Sequence, residues 1–200
     1  MAQPRYQDHF FKRAKQEGYF SRAVYKLIEI DKKYGLIRKG MRVLDLGAAP
    51  GSWLQWTSRR VGSSGLVVGV DLQPVSGNFP ENTIFVTGDV MDDSLINNII
   101  ERWAPFDIVL SDMAPFTTGN KYADSARSAL LAERAIEVAR LALGQGGHIL
   151  LKIFQGSDFP AILSILKKEF ASVKTVKPKA SRKESKEVYI LGMKKIIREV

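Results

Sequence analysis

What most constrains this chain is an alternation. Short runs dense in Val, Leu and Ile recur between longer segments whose apolar residues repeat at helical spacing. "RVLDL" (42–46), "GLVVGVD" (65–71), "TIFVTGD" (83–89), "FDIVLSD" (106–112) and "HILLKIF" (148–154) have the length and near-continuous apolar character of strands covered on both faces. Helices fit about 53–61, 92–103, 124–143 and 158–169. An earlier one fits from Ser21, a capping residue, to about Tyr34, with Gly35 as its stop. Two last strands, "SVKTVK" and "EVYILGM", have only the loop "PKASRKES" between them, so they are expected to run antiparallel. Helical crossovers require a mostly parallel sheet. The expected fold is a doubly wound α/β domain of seven strands with an antiparallel last strand and helices on both faces. It spans 21–200 and follows a basic arm, residues 1–20, expected to be loosely structured.

In such a sheet the ligand site lies at the carboxyl ends of the strands. Polar residues collect there. Asp71 ends the second strand, Asp89 follows the third, Asp112 ends the fourth, and Gly47 and Gly51 bracket the turn after the first. Glycines let a ligand approach the backbone, and Asp71, 24 residues past Gly47, is placed to accept hydrogen bonds from ribose hydroxyls. The dinucleotide pattern G-x-G-x-x-G is absent, which argues against a nicotinamide oxidoreductase. A nucleoside held without a pyrophosphate cradle fits S-adenosylmethionine better. Taken singly, each acid also reads as a cap or turn former.

Charge divides the chain. The net charge is +9; residues 1–40 carry +6, residues 167–200 carry +7, and the middle carries −4. Basic ends around a mildly acidic centre suit arms that grip a polyanion, although Lys-rich ends also serve solubility. Lys12, Arg13, Lys15, Arg22 and Lys32 at one end, and Lys177, Lys179, Arg182, Lys183 and Lys186 at the other, are the candidate phosphate contacts. No cysteine is present, and His9 and His148 are too scattered for a metal cluster, so no metal site is expected. No apolar run reaches the roughly eighteen residues of a membrane span, and the N-terminus lacks a secretory signal's apolar core. A cytoplasmic protein without membrane contact, working as a monomer, is expected.

Lys152 is the anomaly within "HILLKIF". A lysine in a buried strand either snorkels to an edge or is there for its chemistry. Trp56 and Trp103 read as packing residues, and His148 as a locally satisfied strand residue. Tyr189, alternating with Val188 and Ile190, shares a face with Glu187 and is expected to look toward the substrate.

"SRAVYKLIEI", "DLGAAPGSW", "DLQP", "GDV", "SDMAP", "LKIFQG" and "SKEVYI" follow one another over roughly residues 20–191. In this order and spacing they resemble the FtsJ/RrmJ (RlmE) family of ribosomal RNA 2′-O-methyltransferases. The resemblance implies a Rossmann-like, S-adenosylmethionine-dependent methyltransferase fold. It also implies a catalytic set of Lys26, Asp112, Lys152 and Glu187. The implied cofactor residues are Gly51, Trp53, Asp71, Asp89 and Asp112, to which the reading of the turn adds Gly47. Two residues depart from the family pattern: Ser52 stands where a second glycine is usual, and Phe116 where asparagine usually follows "SDMAP".

The chemistry agrees with those roles. Methyl transfer from a sulfonium is an in-line displacement, so the protein must position a ribose hydroxyl and remove its proton. Lys152 is expected to be the base, Asp112 to orient it, and Lys26 and Glu187 to position the hydroxyl. The expected substrate is a uridine of large-subunit ribosomal RNA, free or in the 50S-type subunit. Other RNAs, such as tRNA or an mRNA cap, and a non-catalytic RNA-binding ribosome-assembly module are the alternatives.

Overall fold

A computed structural model describes residues 9–182 and 184–196. Strands β1 (Arg42–Leu46), β2 (Leu66–Asp71), β3 (Thr83–Thr87), β4 (Phe106–Ser111), β5 (Leu143–Phe154), β6 (Phe170–Val176) and β7 (Glu187–Lys195) form one sheet in the order β3-β2-β1-β4-β5-β7-β6. Pairing is parallel from β3 through β5, and β7 runs antiparallel to both β5 and β6. The sheet is therefore parallel except for its last strand in sequence, as the alternation requires.

Helices α2 (Val24–Tyr34), α3 (Ser52–Val61), α4 (Asp93–Trp103), α5 (Lys121–Ala142) and α6 (Phe159–Glu169) supply the two covering layers, and α1 (His9–Gln16) packs on α2. One core joins Leu44, Leu46, Val68, Val109 and Leu151 of the sheet to Ile96 and Ile99 of α4, Ile136 of α5 and Ile162 of α6. The opposite face packs Val43, Val67, Leu110, Leu150 and Tyr189 against Leu27 and Ile30 of α2 and Trp53 and Leu54 of α3. Alternate residues of each strand thus serve different cores.

Three sequence expectations change. Residues 9–20 are not loose: α1 buries Ala14, Phe10 and Tyr19 pack on Tyr25, and Glu17 accepts a hydrogen bond from the Tyr25 hydroxyl. The apolar positions of this short basic stretch find a partner only once α2 is in place. Ser21 does not cap α2 directly. Its hydroxyl accepts from the Ala23 N–H and pairs with Ser52 Oγ at 2.9 Å, in a turn that leads into the helix. The expected stop holds, with Gly35 in the left-handed conformation and its N–H donating to Asp31 O. Finally, β5 starts at Leu143, which pairs with Phe106. The register breaks between Phe106 and Ile108, so "GQGG" lies within the strand as an irregularity rather than before it.

Candidate active site

The β1–α3 turn is shaped by close packing. At Gly47, with φ +75°, a Cβ would sit 2.7 Å from Met113 Cγ and 3.0 Å from its backbone nitrogen. Only glycine lets the β1 and β4 ends come this near. Asp71 ties the same turn to β2: its Oδ2 accepts from the Ala49 N–H and its Oδ1 from the Gln73 N–H, both at 2.9 Å. Asp89 Oδ1 accepts from the Met91 N–H at 2.9 Å. Gly47, Asp71, Asp89 and Asp112 all line one cavity of ≈ 450 Å³ across the carboxyl ends of the strands. That volume is in the range of small-molecule sites.

Two residues assigned to a cofactor lie elsewhere. Gly51, with φ +101°, faces the edge-to-face pair of Phe20 and Phe79; a Cβ there would meet Phe79 at 2.7 Å. Trp53 is buried, its ring centroid 6.0 Å from that of Tyr189 and its indole N–H donating to Ala23 O at 3.0 Å. Neither lines the cavity. The chain turns into α3 after Pro50, which sets Gly51 against Phe20 and Phe79 and carries Trp53 back to Ala23, just before α2.

Beside the cavity stand two lysine–carboxylate pairs. Lys152 Nζ lies 2.9 Å from Asp112 Oδ1 and donates to the Asp112 backbone oxygen at 2.5 Å. Lys26 Nζ lies 2.6 Å from Glu187 Oε1. All four side chains are largely withdrawn from solvent, with Lys152 7% exposed and Asp112 the most open at 17%. The topology explains the convergence. Asp112 follows β4, Lys152 lies on the neighbouring β5, Glu187 begins β7 opposite Phe154, and α2 lays Lys26 across that edge. Lys152 is therefore both buried in its strand and directed to its edge, so the two readings of it are compatible.

Tyr189 corrects another expectation. It pairs with Lys152 across β5 and β7, but it is fully buried and does not face outward. Its hydroxyl donates to Asp112 Oδ1 at 2.6 Å. Its alternation with Glu187 was visible in the sequence; that its hydroxyl ends on Asp112 depends on the pairing of β7 with β5. Burial pushes the Tyr189 phenol well above its ordinary range, and the Asp112 and Glu187 carboxylates push it further, so it remains a donor. For Asp112, burial alone would raise the carboxyl. The charges of Lys152 and Lys26 and the Tyr189 hydrogen bond outweigh it and hold the group below the usual carboxylate range.

Asp45 is a residue the motifs did not single out. It lies on β1, fully buried, with no hydrogen-bond partner at either carboxylate oxygen. Burial raises its carboxyl well above the ordinary value, and the neighbouring Asp112 and Asp71 charges add to this. Its signal was the acid inside "VLDL", an otherwise apolar strand.

The basic ends converge as well. Arg22 donates to Ala180 O, Glu29 Oε2 accepts from the Lys179 N–H at 2.8 Å, and Arg22, Lys26, Arg182 and Glu187 line one cavity of ≈ 600 Å³. Arg13 is paired with Glu17 at 2.7 Å, and Lys177 Nζ donates to Ser185 O at 2.9 Å. Lys12 and Lys15 lie exposed on α1, Lys32 exposed on α2, and Lys186 near the start of β7. Lys183 lies outside the described residues. His148 accepts from the Lys194 N–H through Nδ1 at 3.1 Å, a local partner as expected. Among the described residues, no helix is long and apolar enough to cross a membrane.

Residues 19–195 match the model of the FtsJ-like methyltransferase family. Relatives named ribosomal RNA large subunit methyltransferase E include one from Syntrophobacter fumaroxidans, 55% identical over 187 residues that cover 94% of this chain and 95% of that one. Another, from Bdellovibrio bacteriovorus, is 46% identical over 190 residues covering 94% and 96%. Among solved structures, a Plasmodium falciparum chain described as a ribosomal RNA methyltransferase matches with a TM-score of 0.78 at 30% identity, over 90% of this chain and 100% of that one. Aeropyrum pernix fibrillarin in complex with S-adenosyl-L-methionine shares the fold, with a TM-score of 0.57 at 15% identity, over 86% and 74%. The family match runs from the segment before α2 to the end of β7 and so takes in the whole sheet; the chain belongs to the FtsJ-like methyltransferases, and S-adenosylmethionine is the methyl donor of its reaction.

Proposed function

We propose that the protein methylates the 2′-hydroxyl of a ribose in large-subunit ribosomal RNA, at a uridine. The observation that carries this reading is the pair of lysine–carboxylate contacts beside the strand-end cavity: Lys152 with Asp112, and Lys26 with Glu187. The names of the relatives support the choice of RNA.

The residues present suit the donor. Asp71 and Asp89 each use backbone N–H groups for part of their acceptor capacity, and a carboxylate has about four lone-pair sites, so both retain capacity for hydroxyls. Gly47 keeps the turn free of a side chain, and the carboxylates lining the cavity favour a cationic ligand. S-adenosylmethionine supplies an electrophilic methyl group on a sulfonium. The chain supplies the positioning and the base.

In its neutral form a lysine amine has two N–H bonds and one lone pair. Asp112 offers Lys152 two acceptors, its Oδ1 and its backbone oxygen, so both N–H bonds are engaged and the lone pair is left for the ribose proton. Tyr189 anchors Asp112 from behind, and the Lys26–Glu187 pair orients the hydroxyl and balances charge across the site. Lys152 Nζ would take the proton of the 2′-hydroxyl, and the donor would supply the methyl group and keep the carbon–sulfur electron pair as a neutral thioether. This reading places the enzyme in the cytoplasm, where large subunits assemble, and takes it to act as a monomer.

Incubation with methyl-labelled donor and either large subunits, free ribosomal RNA or tRNA tests the proposal. Label should enter large-subunit ribosomal RNA and resist alkaline hydrolysis at the modified uridine. Label in tRNA alone would replace the substrate, and label in no RNA would favour a binding module.

A further inference from the structure

Phe116 is 87% exposed although it lines the strand-end cavity, four residues beyond Asp112 on the β4–α5 loop. A single exposed aromatic is unremarkable, but this one has a built setting. The next residue, Thr117, opens on a second cavity of ≈ 230 Å³, lined also by Lys121, Phe154, Ser185 and Lys186. Phe154 ends β5, two residues or about 6.6 Å along the strand from Lys152. It pairs with Glu187, and Ser185 and Lys186 immediately precede that glutamate. In the sheet order, the donor cavity lies at the ends of β3, β2, β1 and β4, while this second cavity lies at the ends of β5 and β7. Asp112, the partner of Lys152, lines the first cavity, and the loop passes from the first to the second between Phe116 and Thr117.

The loop that presents Phe116 is braced. Asp124, which also lines the second cavity, accepts from the Thr118 N–H at 2.8 Å, the Thr118 hydroxyl at 2.9 Å and the Gly119 N–H at 3.2 Å. Asn120 caps α5 through the N–H groups of Tyr122 and Ala123. An aromatic held out on a stiff loop loses little entropy when a flat partner covers it.

We propose that Phe116 is a stacking platform for the base of the nucleotide being methylated, with Lys121 and Lys186 of the adjoining cavity taking the neighbouring phosphate. The occupant follows from chemistry. A ribose presented to Lys152 carries its base and its phosphates to either side, and the surface there offers an aromatic face on one hand and two ammonium groups beside Phe154 on the other. Phenylalanine at this position, where the family usually has asparagine, gives this chain a stacking contact that an amide would not. The proposal rests on RNA being the substrate.

The test is Phe116→Ala, a substitution at an exposed loop position that leaves the core untouched. The KM for ribosomal RNA substrate should rise about 5- to 100-fold, the range of one lost base–aromatic stack. The loss should fall mainly on the KM for RNA, with kcat at saturating RNA and the Kd for S-adenosylmethionine, read by calorimetry, changing by much less. Phe116→Trp should restore the KM. An unchanged KM in Phe116→Ala overturns the proposal, and so does a weakened Kd for the donor with unaltered RNA dependence, which would make Phe116 a cover for the donor. Wild-type protein that methylates no RNA would overturn the proposed function itself. An active wild type with an unaffected Phe116→Ala variant would overturn the stacking role alone.

Discussion

At the scale of single residues, the site turns on how charge is held away from water. Lys152 has both a backbone and a carboxylate oxygen of Asp112 within hydrogen-bond distance. A guanidinium put in its place keeps positive charge but cannot give up its proton at any ordinary pH. Lys152→Arg is therefore expected to lower the single-turnover rate by about 10²- to 10⁴-fold, the usual range of a lost general base, with donor binding intact. A variant retaining a tenth of wild-type rate would mean that charge alone is needed. Asp45 gives the opposite case. Its folded-state carboxyl is raised above the value of about 3.9 expected in the unfolded chain. The unfolded chain therefore ionises first as pH rises, and stability present below about pH 4 is lost progressively toward the folded value. Asp45→Asn cannot ionise and forfeits no hydrogen bond. Its Tm should exceed wild type at pH 8, with the gap closing near pH 4. A gap independent of pH would show that ionisation of Asp45 is not the cause.

At the scale of elements, α3 is the brace for the segment that delivers Lys26. Trp53 holds Ala23 O, Ser52 holds Ser21, and Gln55 bonds both Gly18 O and the Phe20 N–H. The serine that departs from the family's glycine thus has a partner of its own. Asp31, buried on α2, accepts from the Ile37 N–H at 2.8 Å and from Trp56 Nε1 and Arg60 Nε of α3 at 3.2 and 3.1 Å. Removing it leaves several donors without an acceptor, one of them the charged Arg60. Asp31→Ala should cost about 3 kcal/mol, the lower end of the range for breaking a buried pair because Arg60 reaches solvent. Thermal unfolding should shift down by roughly 6–12 °C. A loss below about 1 kcal/mol would mean α2 is held by its apolar face alone. Trp56 was readable as a packing residue from sequence, but its indole hydrogen bond to Asp31 depends on how α2 lies on α3.

For the whole molecule, the two basic ends are joined. Arg22 reaches Ala180 O, Glu29 reaches the Lys179 N–H, and Lys26 meets Glu187, so cations far apart in sequence share one surface beside the lysine pairs. If roughly four phosphates are neutralised there, log K for a single-stranded RNA should fall with log salt at a slope of about −3. Filter binding between 50 and 200 mM salt would measure it, and a slope near zero would remove the ends from RNA recognition.

The sequence by itself determined the layer order and the strand ends where chemistry collects, because periodicity and buried apolar runs are local properties. The spaced motifs supplied the four polar residues Lys26, Asp112, Lys152 and Glu187. Tertiary structure alone decided who meets whom. It turned Tyr189 inward onto Asp112, drew Gly51 and Trp53 back from the cavity, and gave α1 a surface on which to order. Each of these depends on strand register and helix placement, which bring together residues as far apart as 112 and 189. No local pattern records such a distance, so only the folded sheet could show that the lysine inside β5 meets Asp112 at the wall of the strand-end cavity.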